Sequence, residues 1–514
     1  MIIMEYVTHK TSPFGVLLAV VLSPIIYFIF LIVYRLYFSP LARFPGPKLA
    51  AATSWYVFYY DYWLNGQFVF EIRRMHEVYG PIVRINPAEL SIHDPKFYDK
   101  LYVVESRRRT ESYDAFCKGI DHEGSFLLTK DHDLHRRRRK PFEPFFSRRG
   151  ITLLQSMLSQ VTLHFESRLR EFEGGKQVIR LDHAFSAFSG DIIRRICLDV
   201  NDTEDRFLND TAFSLEWYDM LQAIIRSIPL FTGFPWIIYI AKSLPERFLL
   251  WVFPRGQMFK KFSQEATQSI RRAMADISKE EEHITSVFHH VMKSDMPESD
   301  KSEERLTGEA QVMLGGGTVT TARTLSFASY YILSRPEVQY RLEHELKDIM
   351  ADWPQRVPTW AELERLPFLQ GVIKESLRLG YGVMHRLPRV SPDAPINYKE
   401  YMIPVGTPVS MSGYLMHSDP VVYPSPDEFI PQRWVGDDDK AVHRNFVPFC
   451  RGSRSCLGKN LAMAEMSLAL AVLYRPGGLK FELFETDESD VKPVHDFMIP
   501  LPKLNTKGVR ILIH

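Results

Sequence analysis

Phe14–Tyr34 is apolar throughout except for Gly15, Ser23 and Pro24. A run of that length matches a helix that crosses a bilayer, and Pro24 would kink it without preventing insertion. The other reading is a cleaved signal peptide, but the run is long for one and no small-x-small cleavage site follows. Arg35, Arg43 and Lys48 lie beyond it, against Lys10 and Glu5 before it. That bias keeps the downstream chain in the cytosol, where the sequons at Asn201 and Asn209 never meet the glycosylation machinery. Phe44-Pro45-Gly46-Pro47 is a stiff turn. The pattern therefore predicts a short lumenal tail over 1–13, a transmembrane helix over 14–34, a proline-rich hinge over 35–48 and one large body over 49–514.

Within the body, Ile82–Ile92 alternates around Asn86-Pro87 and predicts a β-hairpin. Asp94–Tyr102 predicts a short helix. Phe207–Phe253 is rich in apolar residues, but Pro229, Gly233 and Pro235 exclude one long helix there. Its runs are too short to span a bilayer, and ordinary core is the alternative reading. Polar Ser302–Glu309 leads into Ala310–Ala322, a helical pattern that carries Gly315-Gly316-Gly317. Each glycine costs about 1 kcal/mol relative to alanine in a helix. In return it leaves bare backbone against which a second body can lie. Ser334-Arg335-Pro336-Glu337 reads as a helix start, with Arg341 and Glu345 four apart on one face. Glu375 and Arg378 stand at i, i+3 on another helix, close enough to pair. Leu457–Leu473 is again helical in pattern.

Composition narrows the class. The chain has 514 residues with a formal net charge of +1, which gives no general case for a nucleic-acid partner. Its prolines and glycines are dispersed, so no linker divides it. The four cysteines, Cys117, Cys197, Cys450 and Cys456, show neither paired metal-ligand spacing nor a disulfide framework. A reducing compartment follows.

The chemistry concentrates in Phe449-Cys450-Arg451-Gly452-Ser453-Arg454-Ser455-Cys456-Leu457-Gly458. Cys456 precedes a helix N-terminus, where backbone N–H groups and the helix dipole favour a thiolate. The glycines let the main chain approach a flat ligand. Arg454 can set a cation beside a carboxylate, and Phe449 can shield the sulfur. The stretch resembles the haem-binding loop of the cytochrome P450 family, Phe-x-x-Gly-x-Arg-x-Cys-x-Gly, with Phe449, Gly452, Arg454, Cys456 and Gly458 at its fixed positions. Other motifs of the family precede it in order, and the resemblance covers nearly the whole chain. In wording it is similar to fungal microsomal members that make natural products.

The resemblance implies a mainly α fold with a small β region. It implies haem b between the Gly316 helix and the Cys456 loop, with Cys456 as axial thiolate. Arg454, Arg139, Arg389 and His135 take the places that meet the haem propionates; His135 stands where tryptophan is usual. The other arginines of the run from His135 to Lys140 are expected to face solvent or an acidic docked partner. Glu375, Arg378 and Arg433 form a buried lock behind the haem. Thr320 and Thr321 occupy the oxygen-side threonine positions, and Val319 stands where an acid is usual. Gly316, Val319, Val383, Met384 and His385 are the expected pocket residues, with more from Tyr113–Phe126. His385 as a satisfied core histidine is the equal alternative, and Thr321 on its own reads more simply as a helix-packing residue. The Phe207–Phe253 region takes the place of the family's membrane-dipping lid.

The implied activity is O2-dependent hydroxylation of a lipophilic terpenoid or meroterpenoid at the endoplasmic reticulum membrane, by a single-pass protein with a cytosolic catalytic body. No flavin or nicotinamide domain fits in the remaining length, so electrons come from a separate NADPH–cytochrome P450 reductase. Two alternatives stay open: desaturation, ring expansion or rearrangement of the same substrate class, and a haem-binding sensor or carrier without turnover.

Overall fold

The computed structural model describes residues 13–102, 109–113, 122, 124–198, 207–211, 213–252, 256–275, 286–436 and 439–514. Cys117, Asn201 and most of Tyr113–Phe126 lie outside these. Helix α1 spans Pro13–Val33. Several side chains of its first turns fall outside the described set, and among the described residues no helix is long and apolar enough to cross a membrane.

The body is built around a 32-residue helix, Glu303–Ser334. Helices α2 (His132–Arg139), α3 (Leu181–Leu198) and α4 (Leu215–Gly233) precede this central helix, α5. After it come α6 (Pro367–Gly380), α7 (Gly413–His417) and α8 (Lys459–Leu473). The central helix packs most extensively on α3, which is buried at nearly every position, and also on α6 and α8. The Ser302 side chain accepts from the Arg305 N–H at its start, and Glu303 and Glu304 meet the positive end of its dipole. Through the glycine stretch, Thr318 and Thr320 donate to the carbonyls of Leu314 (2.8 Å) and Gly316 (2.9 Å). A carbon added at Gly317 would stand 2.9 Å from Ile193 of α3, so this glycine sets the helix spacing.

Strands β1 (Ile82–Arg84) and β2 (Leu90–Ile92) form the hairpin read from the alternation. The Asn86 side chain closes its turn by accepting from the N–H groups of Ala88 and Glu89, both at 2.8 Å. With β3 (Glu111–Ser112), β4 (Arg389–Val390) and β5 (Pro408–Ser410) it builds a five-stranded sheet in the order β1-β2-β5-β4-β3. Every residue of β1 and β2 is buried, because each sheet face has its own apolar cluster. Ile82 turns to one with Leu90 and Val409, and Val83 to another with Phe68 and Met384.

Two readings of the sequence change. Pro229 lies inside α4, and the chain breaks instead at Phe234-Pro235 and again at Leu244-Pro245. Asp94–Tyr102 divides into a 3-10 turn and one α-turn, with Asp94 capping Lys96. The Glu345 carboxylate accepts from the N–H groups of Phe368 and Leu369, both at 2.8 Å, and so caps α6.

Glu465 on α8 is 2 % exposed. Burial pushes its carboxyl up to about 8, and the Ser189 hydroxyl offsets this only in part. A folded-state value above the unfolded one contributes stability that is complete below about pH 4.3 and is lost as the pH rises through 8. Urea denaturation between pH 5 and 8 should therefore show a falling component of up to about 1.4 kcal/mol per pH unit. In Glu465→Gln that component should vanish; an identical slope would disprove the assignment.

Candidate functional site

The Cys456 loop is shaped by its backbone. Gly452 has φ +76° and Cys450 φ +56°, so the chain doubles back twice and brings the Cys456 N–H to the Phe449 carbonyl at 2.9 Å. Gly452 therefore cannot carry a side chain without strain. Gly458 has an ordinary φ of −83°, and a carbon added there would meet nothing within 4 Å. Arg451 fastens the outside of the loop to Asp99 at 2.9 Å and to the carbonyls of His443 and Arg444.

α8 begins at Lys459, so Cys456 stands short of its first turn. Burial pushes the thiol up, and the Gly458 N–H with the charges of Arg139 and Lys459 pulls back without cancelling it. The Gly458 N–H thus acts in the direction expected of a helix entrance, against the burial of the thiol. Cys456 lies within the body, yet its surface is accessible. It opens onto space the chain does not fill.

The central helix shows the same feature. Gly316 is exposed in the middle of a largely buried helix, and carbons added at Gly315 and Gly316 would meet nothing within 4 Å. Thr320 is half-buried on this side, whereas Thr321 is 3 % exposed and packs into the core. These glycines make opposite predictions. Gly317→Leu should lower the melting temperature, by about 1–3 kcal/mol of overpacking. Gly316→Leu should keep or raise the melting temperature of the cofactor-free chain, yet reduce the bound ligand's absorbance. Loss of stability at 316 would sink this distinction.

Three guanidinium groups and one imidazole gather beside the loop. Arg139 is 8 % exposed and donates to the Ser455 carbonyl at 2.6 Å and to Glu143 at 3.1 Å. Arg454 donates to the carbonyls of Thr129 (2.7 Å) and Lys130 (2.6 Å), tying the loop to the entrance of α2. Arg389, on β4, lies 5.1 Å over the Tyr102 ring. His135 is 2 % exposed with Nδ1 unpartnered. Burial first, then the charges of Arg454, Arg139, Arg389 and His132, push its imidazole down to about 2, so it is neutral. Such a gathering of guanidinium groups fits a ligand that carries carboxylates.

Not all of the basic run faces outward, and that expectation is corrected. Arg137 and Arg138 donate to buried Asp300 at 3.0 and 3.1 Å. Burial works against the charge on Asp300, but the two bonds hold its carboxyl below the usual range.

Behind the loop, Glu375 and Arg378 are fully buried and paired at 2.8 and 2.9 Å. Arg433 donates to the same carboxylate at 3.0 Å. So do Trp434 Nε1 at 2.8 Å and the Ile430 N–H at 2.9 Å, two members the sequence reading did not name.

On the opposite side, Val319 and Val383 pack against a small apolar cluster of Ile225, Phe497, Ile499 and Leu501. The last three come from a hairpin, β6 (His495–Phe497) and β7 (Ile499–Leu501), that turns at Met498 with φ +76°. The sequence reading missed this wall, although Phe497, Ile499 and Leu501 carry the period-two signal of one strand face. Met384 is fully buried in the cluster with Phe68 and lines no open space; its N–H donates to Met498. His385 pairs with Asp496 at 3.0 Å. Both residues thus brace the hairpin from behind. Val319 also borders a polar cavity of about 240 Å3 that Asp182, Tyr218 and Arg323 line.

The cytochrome P450 family profile matches residues 45–507. The chain is a cytochrome P450. It is 48% identical over 96% of its length to the cytochrome P450 monooxygenase oblB of Aspergillus clavatus, covering 96% of that protein. It is 47% identical to the fusicoccadiene C-8 hydroxylase of Phomopsis amygdali, with 96% of each chain covered. To the stellatic acid synthase of Emericella variicolor it is 40% identical, over 95% of this chain and 93% of that one. As a P450 it is an oxidoreductase with a haem-thiolate cofactor, and members of the family draw electrons from redox partners. The bare backbone at Gly315 and Gly316, the accessible Cys456 and the cations around His135 fit that cofactor.

Proposed function

We propose that this P450 is a monooxygenase that oxidises a C–H bond of a lipophilic terpenoid or meroterpenoid, most simply by hydroxylation. The observation that carries the reading is a pair of bare surfaces, Cys456 on its loop and Gly315–Gly316 on the central helix. The relatives' names supply the substrate class: one hydroxylates fusicoccadiene at C-8, and another forms stellatic acid.

Haem bound here supplies dioxygen activation and the oxidising power for an unactivated C–H bond. The chain's own residues do the rest. Cys456 would supply the thiolate to the haem iron. Arg454, Arg139, Arg389 and the neutral His135 would hold the propionates. Ile225, Phe497, Ile499, Val319 and Val383 orient the apolar skeleton and keep water away. Thr320 Oγ1 holds a proton that, at rest, it donates to the Gly316 carbonyl. Val319 has no proton to pass, so the proton that reaches Thr320 comes from water or a substrate hydroxyl in place of the usual acid.

Electrons come from NADPH through NADPH–cytochrome P450 reductase, which docks on the basic α2 side where Arg136 and Lys140 are exposed. The chain sits on the endoplasmic reticulum membrane with its body in the cytosol. α1 is the anchor: Ile26, Phe28, Ile29 and Phe30 on it are each more than half exposed. Trp55, Trp63, Trp236 and Trp251 form a second exposed apolar surface suited to the lipid interface.

The test is mass spectrometry of extracts from a host that makes the pathway intermediate and the reductase, with and without this gene. A new product one oxygen heavier is expected. A product lighter by two hydrogens, or an isomer, would replace hydroxylation by desaturation or rearrangement, the reading that Val319 leaves open. No new product across a panel of terpenoid skeletons would sink the proposal and leave a haem carrier.

A further inference from the structure

The loop that carries Cys456 reaches the charge network behind it through one side chain. His417, at the end of α7, is fully buried. Its Nε2 accepts a hydrogen bond from the Val447 N–H at 2.9 Å. A ring nitrogen that accepts there leaves the proton on Nδ1, and Nδ1 lies 3.2 Å from the Arg378 carbonyl, to which it donates. The Arg378 guanidinium returns to the His417 carbonyl at 2.9 Å. The ring stacks between Tyr381 (6.1 Å) and Phe446 (5.7 Å). From Val447 the line continues to the thiol: the Val447 carbonyl accepts from Cys450 N–H at 3.1 Å, and the Phe449 carbonyl accepts from Cys456 N–H at 2.9 Å.

Other buried histidines do different work. His76 closes a turn between Gly80 and Ser91, and His135 faces the arginines. Burial and the Arg378 charge push the His417 imidazole down to about 3, so it is neutral and keeps one donor and one acceptor.

We propose that His417 is the positioning residue that sets the Cys456 loop: it transfers the fixed geometry of the Glu375–Arg378–Arg433 network to Val447, and so holds the thiolate at bonding distance from haem iron. The proposal rests on Cys456 as the axial ligand. Motion at Val447 would pass along two backbone hydrogen bonds to the sulfur, where a small displacement weakens the metal bond more than it weakens the fold.

The test uses the full-length, haem-containing protein in membranes and three variants. In His417→Gln the amide oxygen stands where Nε2 stood and still accepts from Val447. In His417→Asn the amide reaches only the Nδ1 position. His417→Phe keeps the stacking and neither bond. The readout is the fraction of bound haem that shows the red-shifted absorption of the ferrous carbon monoxide complex, the mark of thiolate ligation. His417→Gln should keep the wild-type fraction, while His417→Asn and His417→Phe lose roughly half of it or more. An unchanged fraction in Asn and Phe, or an equal loss in all three, overturns the proposal. So does a lower melting temperature in all three with the fraction unmoved, which is what a merely structural histidine would give. If Asn and Phe bind no haem, hydrogen exchange on the wild type decides: the Val447 amide should exchange as slowly as those of α6, and loop-like exchange overturns the assignment. Cys456→Ser, run alongside, should lack the band. If it keeps the band, the ligand assignment has failed and this proposal with it.

Discussion

Cys456→Ser is expected to abolish turnover while leaving a folded chain. Serine is smaller than cysteine and Cys456 opens onto unfilled space, so no packing is lost. The loop's shape depends on Gly452, Cys450 and the Arg451 anchors, none of which the substitution touches. What changes is the ligand: a serine hydroxyl, far less acidic than a thiol, does not supply the electron-rich sulfur that makes haem a C–H oxidant. The melting temperature of the cofactor-free protein should stay near that of the wild type, product should fall below detection, and the red-shifted carbon monoxide band should disappear. Retained turnover would mean that another group holds the iron.

Glu375→Ala is expected to prevent folding rather than catalysis. The carboxylate receives Arg378, Arg433, Trp434 Nε1 and the Ile430 N–H, and it is fully buried. Removing it strands two guanidinium groups, Arg378 with no exposure at all. Breaking a buried pair from one side costs about 3–5 kcal/mol, a large share of the ~5–15 kcal/mol that holds a typical domain together. The variant should accumulate as aggregated, haem-free chain. Glu375→Gln keeps the shape but cannot neutralise both arginines, so it should fall between the two. Denaturation midpoints and haem per chain measure this order, and a stable, haem-loaded Glu375→Ala would show that the network carries little.

Much of this was legible in the sequence where chemistry imposes fixed spacing. Glu375, Arg378 and Arg433 meet as the resemblance implied, and Gly452 shows in its positive φ why glycine stands there. The hairpin at Asn86-Pro87 followed from alternation. What was not legible depends on tertiary partners. No local pattern distinguishes Gly317, which faces Ile193, from Gly316, which faces open space. Nor does the basic run reveal that buried Asp300, far away in sequence, claims Arg137 and Arg138. Met384 was read as a pocket residue because it follows the Glu375 helix, and His385 as either a pocket residue or a satisfied core histidine. Their surroundings are set by Phe68 and Asp496, from opposite ends of the chain, and the Asp496 pair agrees with the second reading of His385.

The cofactor site gathers residues from distant parts of the chain, and that has a consequence for the timing of synthesis. His135 and Arg139 leave the ribosome long before Cys456 does. At about 5–20 residues per second the delay is on the order of tens of seconds. During it the site assembles in steps: His135 and Arg139 come first, the bare face at Gly315–Gly316 next, then Arg389, and Arg454 only with the Cys456 loop itself. Haem therefore cannot be ligated by the thiolate until that loop has been made.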